Sequence, residues 1–131
     1  MWSRPITPQF SCYRDVRRNL WISIRINTSM VKHLQSKVSK IEELISLNSE
    51  SLIIDIGSND GTTLSAYKHG PRLIGIDPAA KKYSSYYPDH VEFIPDFFSA
   101  DLIQSVTNGK RASVVTSFAM MYDLEDPVSF A

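Results

Sequence analysis

From Asn27 onward the chain switches repeatedly between two hydrophobic rhythms. Met30, Val31, Leu34, Val38, Ile41, Leu44 and Ile45 recur at helical spacing. Lys32, Lys37, Lys40 and Glu43 fall largely on the opposite side, so the segment predicts an amphipathic helix. Thr28 or Ser29 can cap its start, and Asn48 to Ser51 end it. The run Leu52-Ile53-Ile54-Asp55-Ile56 then reads as a strand buried on both faces. Thr62 to His69 predicts a short helix, stopped by Gly70-Pro71. Arg72 to Asp77 is a second strand, and Pro78 opens a helix through about Tyr86. His90 to Ile94 is a third strand. Phe98 to Val106 is a helix ended by Asn108-Gly109, and Ala112 to Ser117 is a fourth strand. Asp126-Pro127 opens one more helix. Such alternation predicts an α/β doubly wound sheet of about four parallel strands with flanking helices.

Residues 1–26 break this rhythm. They hold both tryptophans, the single cysteine Cys12 and an Arg-Asp-Val-Arg-Arg cluster. Only Trp21 to Ile26 alternates like a strand. The segment reads as a poorly patterned arm ahead of a folded unit over residues 27–131.

Composition narrows the class. The 131 residues suffice for one domain with a core, and 43% hydrophobic with 21% charged is ordinary for a globular protein. Lys plus Arg and Asp plus Glu number 14 each, so no net field favours nucleic acid or an anionic membrane. No apolar run is long enough to span a bilayer, and the N-terminus lacks a signal-peptide core. One cysteine forms no internal disulfide, and a reducing, cytoplasmic setting is expected. His33, His69 and His90 show no metal spacing.

The candidate chemistry lies at the strand ends. After the first strand, Gly57 allows a sharp turn and Gly61 a close approach of the next helix. The amides opening that helix would point at a ligand. Asp55 could hold a cationic amine. The spacing is Asp-x-Gly-x-x-x-Gly with a second acid, Asp60, not the Gly-x-Gly-x-x-Gly that a dinucleotide pyrophosphate prefers. Asp77, ending the second strand, is placed for ribose hydroxyls. Asp96, followed by Phe97 and Phe98, could bond an adenine amine and stack its ring. An amine site, a ribose site and an adenine site in this order describe S-adenosylmethionine (SAM) better than NAD. Each residue alone also has a plainer reading. Asp77 can be a cap before Pro78, the phenylalanines can be core, and Tyr83, Tyr86 and Tyr87 read as surface and core packing. An NAD-type oxidoreductase and a non-catalytic remnant are the rival functions.

Four strings carry a resemblance: Asn27-x-Ser29-Met30-Val31-x-His33-Leu34, Ile54 to Thr62, Gly75 to Ala79, and Tyr122 to Pro127. They resemble the SAM-dependent C-methyltransferases of nucleotide-linked keto-deoxysugars. The similarity covers Asn27 to Ala131. It implies a Rossmann-like class I methyltransferase fold, of which this chain is the N-terminal half, with SAM as cofactor and a nucleotide sugar as substrate. It implies cofactor contacts from Asp55, Gly57, Ser58, Asn59, Gly61, Asp77, Asp96, Phe97, Ser117 and Ala119. Tyr122 and Asp123 would face substrate. The family's N-terminal zinc module, its C-terminal domain and a Glu-His pair for proton transfer have no counterpart here, so no catalytic residue is assigned.

The family usually carries Tyr-Gly-Tyr-Arg-Ser-Gly-Leu just before the matching asparagine. Here Leu20 to Ile26 stands instead, with Ile22 in place of the second tyrosine. Codons permitted for residues 15–26, shifted by one base, spell Met-Phe-Gly-Glu-Thr followed by that family string. A one-base frameshift near Ile26 or Asn27 is therefore expected, with residues 1–26 out of frame. The gene's DNA sequence decides it.

Overall fold

A computed structural model describes residues 27–68, 70–118 and Val128. The arm over 1–26, the strand expected from Trp21 to Ile26 and the helix expected at Asp126-Pro127 lie outside the described residues. Helix α1 spans Thr28–Leu44. Its cap is Asn27, one position before the expected Thr28, and the Asn27 side chain accepts the Met30 N–H at 3.2 Å. Leu34 and Val38 are the buried positions of its stripe, while Met30 and Leu44 stay exposed. The apolar stripe thus outruns the surface it covers.

Strand β1 is Leu52–Ile56, followed by the short helix α2, Thr62–Ser65. Strands β2, Arg72–Ile76, and β3, Val91–Ile94, come next. Helix α3, Ala100–Thr107, leads into strand β4, Val114–Thr116. All pairings are parallel, in the order β3-β2-β1-β4. The expected α/β architecture forms, a four-stranded parallel sheet with flanking helices in a Rossmann-like arrangement.

The period-two alternation of β1 divides the core. Ile53 packs with Leu73, Val38, Leu64, Tyr67 and Tyr87 on the side of α1 and α2. Leu52, Ile54 and Ile56 pack with Ile74 and Ile76 on the other side, where Phe98, Leu102 and Ile103 cover them. Each aliphatic side chain buried in this way contributes roughly 1.5–3 kcal/mol. Arg72 ties the far end of the sheet together, its Nε donating to Glu92 at 2.7 Å.

Two helices fall short of expectation. The helix expected over Thr62 to His69 stops at Ser65, and Tyr67 turns into the core. The helix expected from Pro78 to Tyr86 is replaced by successive tight turns. Ala80 donates to Asp77 O, Lys82 to Ala79 O and Tyr83 to Ala80 O, each bond reaching back three residues. One 3-10 turn, Ser84–Tyr86, closes the segment. The Asp77 carboxylate accepts the Ala79 N–H at 2.8 Å, and this local side-chain bond competes with helical bonding. Among the described residues no helix is long and apolar enough to cross a membrane.

Candidate functional site

The strand order creates a crevice. From β1 the chain builds outward to β2 and β3, then returns to add β4 on the other side. In such sheets the ligand position lies beyond the carboxyl ends of the strands, where the order reverses. Here that point lies between β1 and β4. Asp55 pairs in register with Thr116 across it, and Thr116 Oγ1 donates to Asp55 Oδ1 at 2.6 Å. Asp55 is buried, and burial pushes its carboxyl up to about 7. The hydrogen bonds from Thr116 and Thr63 act against that shift, while the nearby Asp77 charge adds to it.

The loop from Gly57 to Gly61 rises over the end of β2. Gly57 N–H donates to Ile76 O at 2.8 Å. Gly57, Asn59 and Gly61 all have positive φ, at 75°, 50° and 73°. Every second residue of the loop therefore takes a left-handed conformation that an ordinary side chain resists. Asn59 N–H donates to Asp77 Oδ2 at 2.9 Å. Asp77 is fully buried and accepts the Ala79 N–H through its other oxygen. It braces the loop from below.

Asp60 behaves differently from the expectation of a ligand-facing acid. It is fully buried, and its Oδ1 accepts both the Thr62 N–H and the Thr62 hydroxyl, the latter at 2.6 Å. These bonds brace the start of α2. Gly61 also has another purpose than expected. A Cβ there would lie 2.8 Å from the Tyr87 ring, so the close neighbour is Tyr87 and not the next helix.

Gly57 and Asn59 remain partly exposed beside the crevice, whereas Ser58 is buried. Asp96 is exposed beyond β3, and Phe97 and Phe98 are partly buried. Phe98 packs on the sheet, leaving Phe97 as the ring outside that cluster. Ser117 follows β4. It lines a cavity of about 750 Å3 together with Ile54, Ile56, Phe98 and Val115. The Ser117 Oγ is buried there and has no hydrogen-bond partner among the described residues. No residue of the glycine loop lines this cavity, which reaches the strand ends at Ile56 and Ser117 and also includes Arg111 and Lys110. Ala119, Tyr122 and Asp123 lie outside the described residues.

Sequence reasoning missed three contributors. Thr116 is the partner of Asp55, Gly75 makes room for the loop, and Tyr87 bonds it. A Cβ at Gly75 would lie 2.7 Å from Ser58 Oγ. A glycine inside a strand is the usual signal of such close approach. Tyr87 left no comparable signal.

No model of a protein family matches the chain. Over 79 residues it is 32% identical to the C-methyltransferase NovU of Streptomyces niveus, a span of 60% of this chain and 19% of that protein. The chain thus spans about a fifth of the length of the relative, and the similarity is to a methyltransferase.

Proposed function

We propose that this chain carries the SAM-binding part of a C-methyltransferase whose substrate is a nucleotide-linked keto-deoxysugar. The single observation that carries the reading is the Asp55 to Gly61 loop. It stands at the β1–β4 switch point with the ends of β2 and β3 beside it. The similarity to a C-methyltransferase supports the reaction class. The buried Ser117 Oγ, which lines the cavity and has no hydrogen-bond partner among the described residues, supports a polar ligand at this place.

The residues suit the cofactor. Asp55, Gly57, Ser58, Asn59 and Gly61 would surround its methionine part. Asp77, expected at the ribose end, is fully buried with both oxygens accepting backbone N–H groups, so it would act there through Asn59, which it holds in place. Asp96 and Phe97 would flank adenine, with Ser117 and Ala119 below. Tyr122 and Asp123 would face the sugar. When bound, SAM supplies an electrophilic methyl group to a carbon nucleophile formed beside the sugar's keto group. The chain's own contribution is positioning and electrostatics: Asp55 supplies negative charge when ionised, and the loop amides fix the ligand's orientation.

Calorimetric titration of the full chain with SAM and with NAD tests the cofactor. SAM is expected to bind more tightly, and tighter NAD binding would overturn the reading. Transfer of a labelled methyl group from SAM to a nucleotide-linked keto-deoxysugar then tests the activity. Labelling of the sugar carbon is the expected result. Binding without transfer would leave a cofactor-binding protein and remove the enzyme.

A further inference from the structure

We propose that Tyr87 is the positioning residue of the glycine loop, fixing the loop in its ligand-ready form from outside the loop itself. This rests on the reading of the loop as a SAM site. Three contacts converge on Tyr87. Its hydroxyl lies 2.8 Å from the Asn59 carbonyl oxygen and 2.8 Å from Ser58 Oγ. Its ring occupies the space that a Cβ on Gly61 would need.

The proton arrangement follows from the groups present. A carbonyl only accepts, so the single phenolic proton points to Asn59 O. Ser58 Oγ–H must then donate to the phenolic oxygen. One side chain thereby fixes two consecutive loop residues and fills the space beside a third. Burial pushes the phenol above its ordinary value, so it remains a donor throughout the neutral range.

The anchor is rigid on its own side. Tyr87 is buried, and its ring packs against Phe93 of β3 with centroids 5.0 Å apart. The turns after Asp77 deliver it to this position, so the departure from helix over 78–86 has a consequence for the loop. Asp77 grips Asn59 N–H from below while Tyr87 grips Asn59 O. Both ends of one residue with positive φ are held, and that residue is half-exposed at the crevice. A loop held in advance loses less freedom on binding.

The test uses Tyr87→Phe, which keeps the ring and removes only the hydroxyl. Three quantities are measured on the full chain: the SAM dissociation constant, the melting temperature, and amide exchange over residues 57–62. SAM affinity is expected to fall about tenfold, on the scale of losing one buried hydrogen bond. Exchange should accelerate within the loop and not in β1 or β2. The melting temperature should fall less than in a variant that also loses the ring. Tyr87→Leu, which also removes the ring, should lower both affinity and melting temperature. Adding Ser58→Ala to Tyr87→Phe should cost much less than it does in the wild-type background, because the Ser58 bond is already gone. Unchanged SAM affinity in Tyr87→Phe would overturn the proposal. If the wild-type chain binds no SAM, the functional reading falls, and loop exchange alone then decides the role of Tyr87. Faster exchange confined to 57–62 supports it, and unchanged exchange rejects it.

Discussion

Asp55 shows how one side chain can serve fold and ligand in opposite protonation states. Its ordinary value is 3.8, and in the folded chain burial raises it to about 7. The folded state therefore holds a proton that the unfolded chain releases. Stability from this group is fully present below about pH 4 and is lost as pH rises through about 7. The negative charge that a cationic amine would need appears in the folded chain only around pH 7, at the upper end of that interval. Stability should thus decline from about pH 4 to 7, while SAM affinity rises mainly around pH 7. Asp55→Asn retains an acceptor for Thr116 but cannot titrate. Urea midpoints measured across that range should slope downward for the wild type and lie flatter for Asp55→Asn. Parallel curves would show that Asp55 does not titrate in the way its burial requires. Position at a strand end made Asp55 readable from sequence. Asp60 was expected beside it as a second acid, and both carboxyls are buried, Asp55 on Thr116 and Asp60 on Thr62. Side-chain direction in a loop of positive φ follows no period, so pattern alone does not show which way either acid turns.

At the level of elements, the strands were the most readable part of the chain. β1 is an apolar run with both faces covered, and β2 and β3 form within a residue of their expected bounds. Hydrophobic period and turn residues encode that information directly. The segment from Pro78 to Tyr86 was misread because Pro and small residues suit a helix start and a tight turn equally well. What decides is the Asp77 carboxylate on Ala79 N–H, together with the core places taken by Ala79, Ala80 and Tyr83. The glycines permit a controlled comparison between elements. Gly61 and Gly109 have nearly the same φ, 73° and 77°. An added Cβ meets the Tyr87 ring at Gly61 and nothing within 4 Å at Gly109. Gly109→Ala should cost about 1–2 kcal/mol from backbone strain alone. Gly61→Ala should cost about 1–3 kcal/mol more from overpacking. Chemical denaturation of both variants checks the difference. Equal losses would mean that the Tyr87 ring yields freely and does not hold the loop.

At the scale of the whole molecule, one face of the sheet is unevenly covered among the described residues. α3 lies over β1 and β2, whose Ile54, Ile56, Ile74 and Ile76 are buried beneath it. Val115 is the register partner of Ile54 and shares its face, yet it is 57% exposed beside the cavity. Among the described residues β4 is also an edge of the sheet. An exposed apolar residue on an unpaired parallel edge favours contact between molecules. The isolated chain should therefore self-associate as concentration rises. Val115→Lys places a charge on that edge without opening a hole, because the side chain already reaches solvent. It should raise the concentration at which light scattering begins and leave the melting temperature within a few degrees of wild type. Ile54→Lys on the neighbouring strand should instead abolish folding, since a charge would be buried without a partner. If Val115→Lys aggregates at the wild-type concentration, association starts elsewhere, and the exposed ends of α1 at Met30 and Leu44 become the surface to charge next.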